Sequence, residues 1–315
     1  MILLSGVKPT GRTHIGNYFG AMRQWKDMEE STKYDCFFMI ADYHTLNFVQ
    51  SAVAMRQLTL DMALDYLAIG LDPKKVILFK QSDVSAHTEL TWIFNTLVTV
   101  PYLMRGHAYK DAETQSKEIS VGTFDYPVLM ASDILLYDTD IVPVGQDQKQ
   151  HIEYARDIAG KFNNVYGDTF KHPEPFIVKD VAVVPGIDGR KMSKSYGNTI
   201  PLFAEYDEIQ ERVMAIVTDN GLDFPQNVYT IHRLLKSEGE LKPLYEANKG
   251  RYKALKEALI EDLEVFIAPL RARRKALAED EVAIWKILEE GARKAREIAD
   301  KKMGEVKNKI GVKIN

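Results

Sequence analysis

Apolar runs short enough for strands alternate with longer periodic stretches over the first 160 residues or so. Ile2 to Leu4 reads as a strand, followed by a turn rich in glycine and proline (Gly6, Pro9, Gly11) and a helix from about Gly16 to Glu30. Cys36 to Ala41 and Val76 to Phe79 read as further strands. Between them, Ala52 to Ile69 places Leu60, Leu64, Leu67 and Ala68 near the 3.6 period, with Gly70 at its end as a helix stop. Helical spacing returns over Ala86 to Val98, over Pro127 to Tyr137 and from about Asp147 to Phe162. A short strand, Ile141 to Val144, precedes the last of these, and the sheet is expected to end near Val184. Strand and helix taking turns in this way predicts an α/β fold, a doubly wound parallel sheet with helices on its faces.

The texture changes after Ser195. Strand patterns stop, and helical segments are separated by Pro225, Pro243 and Pro269, each expected at a helix boundary or kink. A smaller, all-helical C-terminal domain is predicted. The final stretch, Glu281 to Lys309, carries Trp285, Leu288, Ala292, Ala295 and Ala299 at helical spacing and reads as one long amphipathic helix.

Composition narrows the class. With 45% hydrophobic and 27% charged residues the chain can bury a large core. The lone Cys36 excludes an intramolecular disulfide and any multi-cysteine metal site, and points to a cytoplasmic address. The N-terminus, MILLSGVKPTG, lacks the basic start and long apolar run of a signal segment, and no membrane association is expected. The net charge of -4 hides an uneven distribution: from Lys249 onward the chain is net +5, and the first 248 residues are net -9. A basic C-terminal segment can meet phosphate, or it can be a solvated helical surface.

Two features carry chemistry. The first turn, Ser5 to Asn17, sets glycines and a proline between a strand and a helix start, so that backbone N–H groups and the positive helix end face one point. It is neither the dinucleotide fingerprint nor a P-loop, and alone it fits an ordinary connection. His14-Ile15-Gly16-Asn17 sharpens it: a donor side chain, a glycine permitting close approach and an amide at the helix start can surround a phosphate. The second feature is Lys191-Met192-Ser193-Lys194-Ser195, flanked by Gly186 to Arg190 and by Gly197. Two lysines and two hydroxyls on a glycine-flanked loop can neutralise a pyrophosphate as its charge develops.

Together these two stretches resemble the signatures of the class I aminoacyl-tRNA synthetases. The resemblance extends over essentially the whole chain and is densest in SGVKPTGRTHIGNY, YPVLMASDILLY, DIVPVGQDQKQHIEYARDIAGKFN and GRKMSKSYGN, where it is to the tryptophan-specific members. It implies a Rossmann catalytic domain over 1–186, a helical anticodon-binding domain over 187–283, and a last helix, about 284–315, that can pack back on the first. It also implies Mg-ATP as substrate without a protein-ligated metal, tRNA(Trp) rather than DNA as the nucleic-acid partner, and a homodimer.

By the same resemblance, Lys191, Lys194, Lys110 and Asn17 act on the phosphates. Lys8, Thr10, His14, Gly16, Gly145, Gln146, Asp147, Val183, Met192, Ser193 and Ser195 complete the ATP site. The first signature ends in Asn17 where many class I enzymes have a second histidine, a variant common among the tryptophan enzymes. Lys8 stands where many bacterial relatives have glutamine.

The amino acid is read from the segment Tyr126 to Tyr137, expected as a helix starting at Pro127. Met130 and Asp133 are three residues apart and share a face. An indole N–H donates and cannot accept, so a tryptophan pocket needs an acceptor inside a mostly apolar wall. Asp133 can supply the acceptor, with Met130, Val142 and Val144 as wall; the three apolar residues fit plain core packing as well. In the family, groups matching Tyr126 and Gln148 hold the tryptophan ammonium, and Gly6 and His44 line the pocket, with Asp42 close by.

Three alternatives stay open at this level. A tyrosine enzyme shares the fold and both signatures. A nucleotidyltransferase outside translation could use the His14 turn, and a non-catalytic paralogue could bind amino acid or RNA as a regulator. The Met130/Asp133 helix argues against the first, the helical basic tail against the second, and the joint presence of Asn17, Asp147, Lys191 and Lys194 against the third.

Overall fold

The computed structural model describes residues 1–106, 109, 119–144, 149–177, 183–218 and 224–313. Among them, β1 (Ile2–Val7), β2 (Asp35–Ile40), β3 (Ile77–Lys80), β4 (Ile141–Val144) and β5 (Glu174–Ile177) form one sheet in the order β3-β2-β1-β4-β5. Every pairing is parallel, with Ile2 opposite Asp35, Phe37 opposite Ile77, Leu3 opposite Ile141 and Val142 opposite Pro175. The chain steps outward from β1 to β2 and β3, then returns to the other side of β1 for β4. That reversal leaves a crevice beyond the carboxyl ends of β1 and β4, where open α/β sheets bind ligands.

Side chains alternate along a strand, and the sheet sorts its residues accordingly. Leu3, Cys36, Phe38, Ile40, Leu78 and Ile141 enter one core, with the helices Arg23–Glu30 and Ala52–Ala68 and much of the C-terminal helical region. Leu4, Phe37, Met39, Phe79 and Val142 enter the other, under Ala86–Asn95, Val121–Leu135 and Lys149–Tyr166. Burial on both faces explains why β2 reads DCFFMI, nearly continuous apolar sequence.

The last helix, Glu281–Lys309, runs round the edge strand β3. Ile284 and Leu288 join the first core, whereas Ala292, Ala295, Ala299, Met303 and Val306 join the second. Gly291 marks the crossing: a Cβ there would lie 1.9 Å from the Leu78 carbonyl oxygen, so only glycine lets the helix backbone reach the strand. An edge that could pair with another chain is thereby covered.

The structure corrects or refines the expected elements at three points. The helix expected to start at Pro127 begins at Val121, because the Ser120 side chain caps it by accepting from Thr123 N at 3.1 Å; Pro127 lies inside. Of the three prolines expected at boundaries or kinks, Pro225 immediately precedes the helix Gln226–His232, while Pro243 and Pro269 lie within Glu238–Ala247 and Tyr252–Ala278. Strand β5 is not anticipated by the sequence pattern, since Pro173 and Pro175 speak against a strand. It lies at the edge of the sheet, where a missing N–H costs no ladder bond. No helix among the described residues is long and apolar enough to cross a membrane.

Candidate active site

The turn after β1 delivers its groups through a reciprocal cap. His14 N-caps the helix that starts at Ile15: its Nδ1 accepts from Asn17 N at 3.2 Å, and Asn17 Oδ1 accepts from His14 N at 3.2 Å. Because Nδ1 is an acceptor, the ring proton sits on Nε2, which can donate outward. Burial, with the nearby Lys194 ammonium adding to it, pushes the His14 imidazole down to about 4, so it is neutral at pH 7. The Asn17 amide keeps its N–H donors for a ligand.

The second signature is folded onto the first. Ile15 N donates to Ile200 O at 3.0 Å, Leu202 N donates to Thr13 O at 2.9 Å, and His14 and Pro201 form an antiparallel bridge. A Cβ on Gly16 would sit 3.3 Å from Met192 Cβ, so a glycine here lets the loop close down. Lys194 Nζ reaches across and donates to Gly11 O at 2.7 Å. Burial lowers the Lys194 ammonium below the usual lysine range, and the Asp65 carboxylate opposes that shift.

Asn198 organises the loop itself. Its Oδ1 accepts from Ser193 N at 2.8 Å, and its Nδ2 donates to Asp188 Oδ1 at 2.6 Å and to Lys191 O at 3.2 Å. Lys191 and Ser195 are exposed, Ser193 is half-buried and Met192 is buried in the first core. Thr10 and Val183 are exposed at the rim, and Lys8 places its ammonium 5.0 Å from the centre of the Phe48 ring. Lys110, Gly145, Gln146, Asp147 and Gln148 lie outside the described residues.

The amino-acid side centres on Asp133, only 3% exposed. Its Oδ2 lies 2.9 Å from His44 Nε2 and its Oδ1 2.7 Å from His87 Nδ1, while Gln81 Nε2 bridges both oxygens at 2.8 and 3.0 Å. Burial alone would raise this carboxyl; the His87 and His44 imidazoles outweigh it and hold Asp133 well below the usual carboxylate range, so it is ionised. Behind it, the Tyr137 hydroxyl lies 2.9 Å from His87 Nε2. Burial and the Asp133 charge keep that phenol protonated. Tyr137 O–H therefore donates to His87 Nε2, and His87 Nδ1–H is left to face Asp133.

The Tyr126 ring stands edge-on to His44 with centroids 6.2 Å apart, and its hydroxyl lies 3.1 Å from His151 Nε2. Val142 is buried, and half-buried Met130 and Val144 pack against the same second core. Gly6 is exposed near the end of β1, where a Cβ would meet Met39 O at 3.2 Å. Asp42 turns away and braces the neighbouring backbone, its Oδ1 accepting from Ser82 N at 2.9 Å and from Tyr43 N at 3.1 Å.

Sequence reasoning misses the supports of this carboxylate. Gln81 and His87 come from separate elements, and nothing in their spacing brings them to Asp133; Tyr137, one turn after Asp133, meets it through His87. Asn198 stands inside GRKMSKSYGN, and an amide just after a left-handed glycine, Gly197 at φ 63°, is the signal that could have found it.

A parallel sheet with this strand order, with a histidine–asparagine turn and a lysine-bearing loop closed over its crevice, defines a nucleotide-activating α/β enzyme of the class I type. The chain belongs to the class I tRNA synthetases (W and Y), whose family model matches residues 1–275. It is 45% identical to the tryptophan–tRNA ligase of Fusobacterium nucleatum over 98% of this chain and 97% of that protein. It is 42% identical to the tryptophan–tRNA ligase of Rhodopirellula baltica over 99% and 100%. Among solved structures, it is similar to the Campylobacter jejuni tryptophanyl-tRNA synthetase complexed with ADP and tryptophan. That similarity has a TM-score of 0.91 at 40% identity and covers 99% of this chain and 100% of that one.

Proposed function

We propose that this chain activates tryptophan with Mg-ATP and transfers it to tRNA(Trp), releasing pyrophosphate and AMP. The observation that carries this reading is the ionised Asp133 carboxylate buried in an apolar helix. A carboxylate only accepts, and His44, His87 and the bridging Gln81 amide all set nitrogens against its two oxygens. A donor-only group such as an indole N–H suits the same acceptor, taking the place of one of these contacts.

In the first step the tryptophan carboxylate attacks the α-phosphorus and pyrophosphate leaves; in the second the acyl group moves to the terminal ribose of the tRNA. Neither step needs an enzyme nucleophile. His14 Nε2–H, the Asn17 amide and Lys191 with Lys194 act on the charge that develops on the phosphates. Tyr126, His44, Met130, Val142, Val144 and Gly6 shape the amino-acid pocket, and Gln148 is assigned to tryptophan binding with them. Lys8, Thr10, Gly16, Lys110, Gly145 to Asp147, Val183, Met192, Ser193 and Ser195 complete the nucleotide site. The catalytic domain spans 1–186 and the anticodon-binding domain 187–283, with the last helix returned to the former.

We further assign the working form as a cytoplasmic homodimer. Leu46, Phe48, Trp92, Val100, Met104 and Val121 are exposed, and Asn47 Nδ2 donating to Gly122 O at 3.4 Å joins the first of these loops to the 121–135 helix. The test is aminoacylation of tRNA(Trp) and tRNA(Tyr) transcripts with labelled amino acids. Charging of tRNA(Trp) with tryptophan supports the proposal; charging of tRNA(Tyr) with tyrosine overturns it.

A further inference from the structure

Asp65 takes no part in the chemistry above, yet its carboxylate is 3% exposed on the helix Ala52–Ala68, where every residue from Met62 onward is buried. A buried charge is costly unless it is paired, and Asp65 is paired to groups from distant parts of the chain. Its Oδ2 accepts from the Thr13 hydroxyl at 2.6 Å, and its Oδ1 accepts from Arg274 Nε at 2.6 Å. Arg274 Nη2 also donates to Asp61 Oδ1 at 2.7 Å, one turn earlier on the same helix.

The two partners act differently. Thr13, 2% exposed, immediately precedes the His14 cap, so the anchoring of its side chain fixes how the turn enters the helix. Arg274 lies near the end of the long helix Tyr252–Ala278, whose Phe266 packs against Tyr18 and Phe19 at centroid distances of 5.3 Å, directly after the signature. The Asp65 charge is also felt at Lys194. Asp65 thus lies beneath the turn that faces the nucleotide, and the Arg274 guanidinium offsets its charge there.

We propose that Asp65 is a positioning residue for ATP, a latch that ties Thr13 in the nucleotide turn to Arg274 in the C-terminal helical region. The inference deepens the reading of that turn as the ATP site and rests on it. By linkage, a shift of the 252–278 helix that pulls Arg274 away weakens ATP, and bound ATP favours the docked helix to the same degree.

The test is calorimetric titration of the full chain with Mg-ATP without amino acid, and separately with tryptophan, alongside melting temperatures. Thr13→Val removes one hydroxyl, and Arg274→Gln removes the cation that offsets the Asp65 charge. Each is expected to weaken ATP about tenfold, the scale of a lost hydrogen bond to a charged group, while tryptophan affinity changes less than about twofold. The double variant Asp65→Asn/Arg274→Gln is expected to bind ATP more tightly than Arg274→Gln alone, because the stranded charge is gone. Folded single variants with unaltered ATP affinity overturn the latch. So does an equal loss for ATP and tryptophan with a lowered melting temperature, or a double variant that binds ATP no more tightly than Arg274→Gln alone. If Arg274→Gln does not fold, Thr13→Val decides alone. If the unaltered chain binds no ATP, the reading of the turn itself falls, and the latch with it.

Discussion

Lys194 Nζ donates to Gly11 O at 2.7 Å across 183 residues of sequence, and this bond carries a side chain of the lysine loop over the turn that follows β1. The contact uses a cation on a neutral carbonyl in a partly buried place, which a phosphate anion can better. An arriving pyrophosphate group is the natural competitor for that ammonium.

Replacing Lys194 by Met keeps the aliphatic stem and removes the charge. Adenylate formation by Lys194→Met is expected to fall about 10²- to 10³-fold in kcat, as for the loss of a donor aimed at developing charge. The KM for tryptophan should stay within about threefold. Single-turnover measurement of pyrophosphate release checks both numbers.

His14 supplies a pH signature. Its folded value of about 4 lies below the ordinary 6.5, so between those values the unfolded chain binds a proton that the folded chain does not. Stability therefore rises with pH across that window: it is fully present above about 6.5 and lost as pH falls toward 4, by on the order of 3 kcal/mol at most. Urea unfolding from pH 7 down to pH 4 should show this drop in the unaltered chain and a smaller one in His14→Asn.

Sheet and site are legible in the sequence to different depths. The strands stand out because burial on both faces forces unbroken apolar runs, and the last helix can be read to its observed ends, Glu281–Lys309, from one periodic stripe. Strand β5 is hidden by prolines that an edge position tolerates. At the site, His14, Gly16 and Lys194 are visible because their motif spacing is local. Gln81, His87, Asp65 and Arg274 are not, because they meet their partners only through tertiary contacts between residues far apart in sequence.

Gly291 tests the docking of the last helix. Gly291→Ala would place a methyl group 1.9 Å from the Leu78 carbonyl oxygen, 2.7 Å from its carbon and 3.1 Å from its nitrogen. Backbone on both sides cannot yield cheaply, so the variant should lose about 3 kcal/mol of stability. Gly304→Ala on the same helix meets no atom within 4 Å and should be neutral or mildly stabilising. Thermal unfolding of the two variants side by side makes the comparison.

Asp133 should separate tryptophan from analogues lacking the indole N–H. In the unaltered chain, replacing that N–H by an apolar atom sets a donor-free edge against a buried carboxylate, and the loss in kcat/KM is expected to reach about 10⁴. Asp133→Ala should lose most of this discrimination, bringing tryptophan and the analogue within about tenfold of each other. His87→Gln, which loosens the hold on Oδ1, should fall between the two.

Whether Asp133 selects the amino acid is decided by ATP–pyrophosphate exchange run with each of the twenty amino acids in turn. A buried, ionised Asp133 beside an apolar wall predicts that tryptophan alone drives rapid exchange. Equal stimulation by tyrosine, or exchange with no dependence on the amino acid, would contradict it.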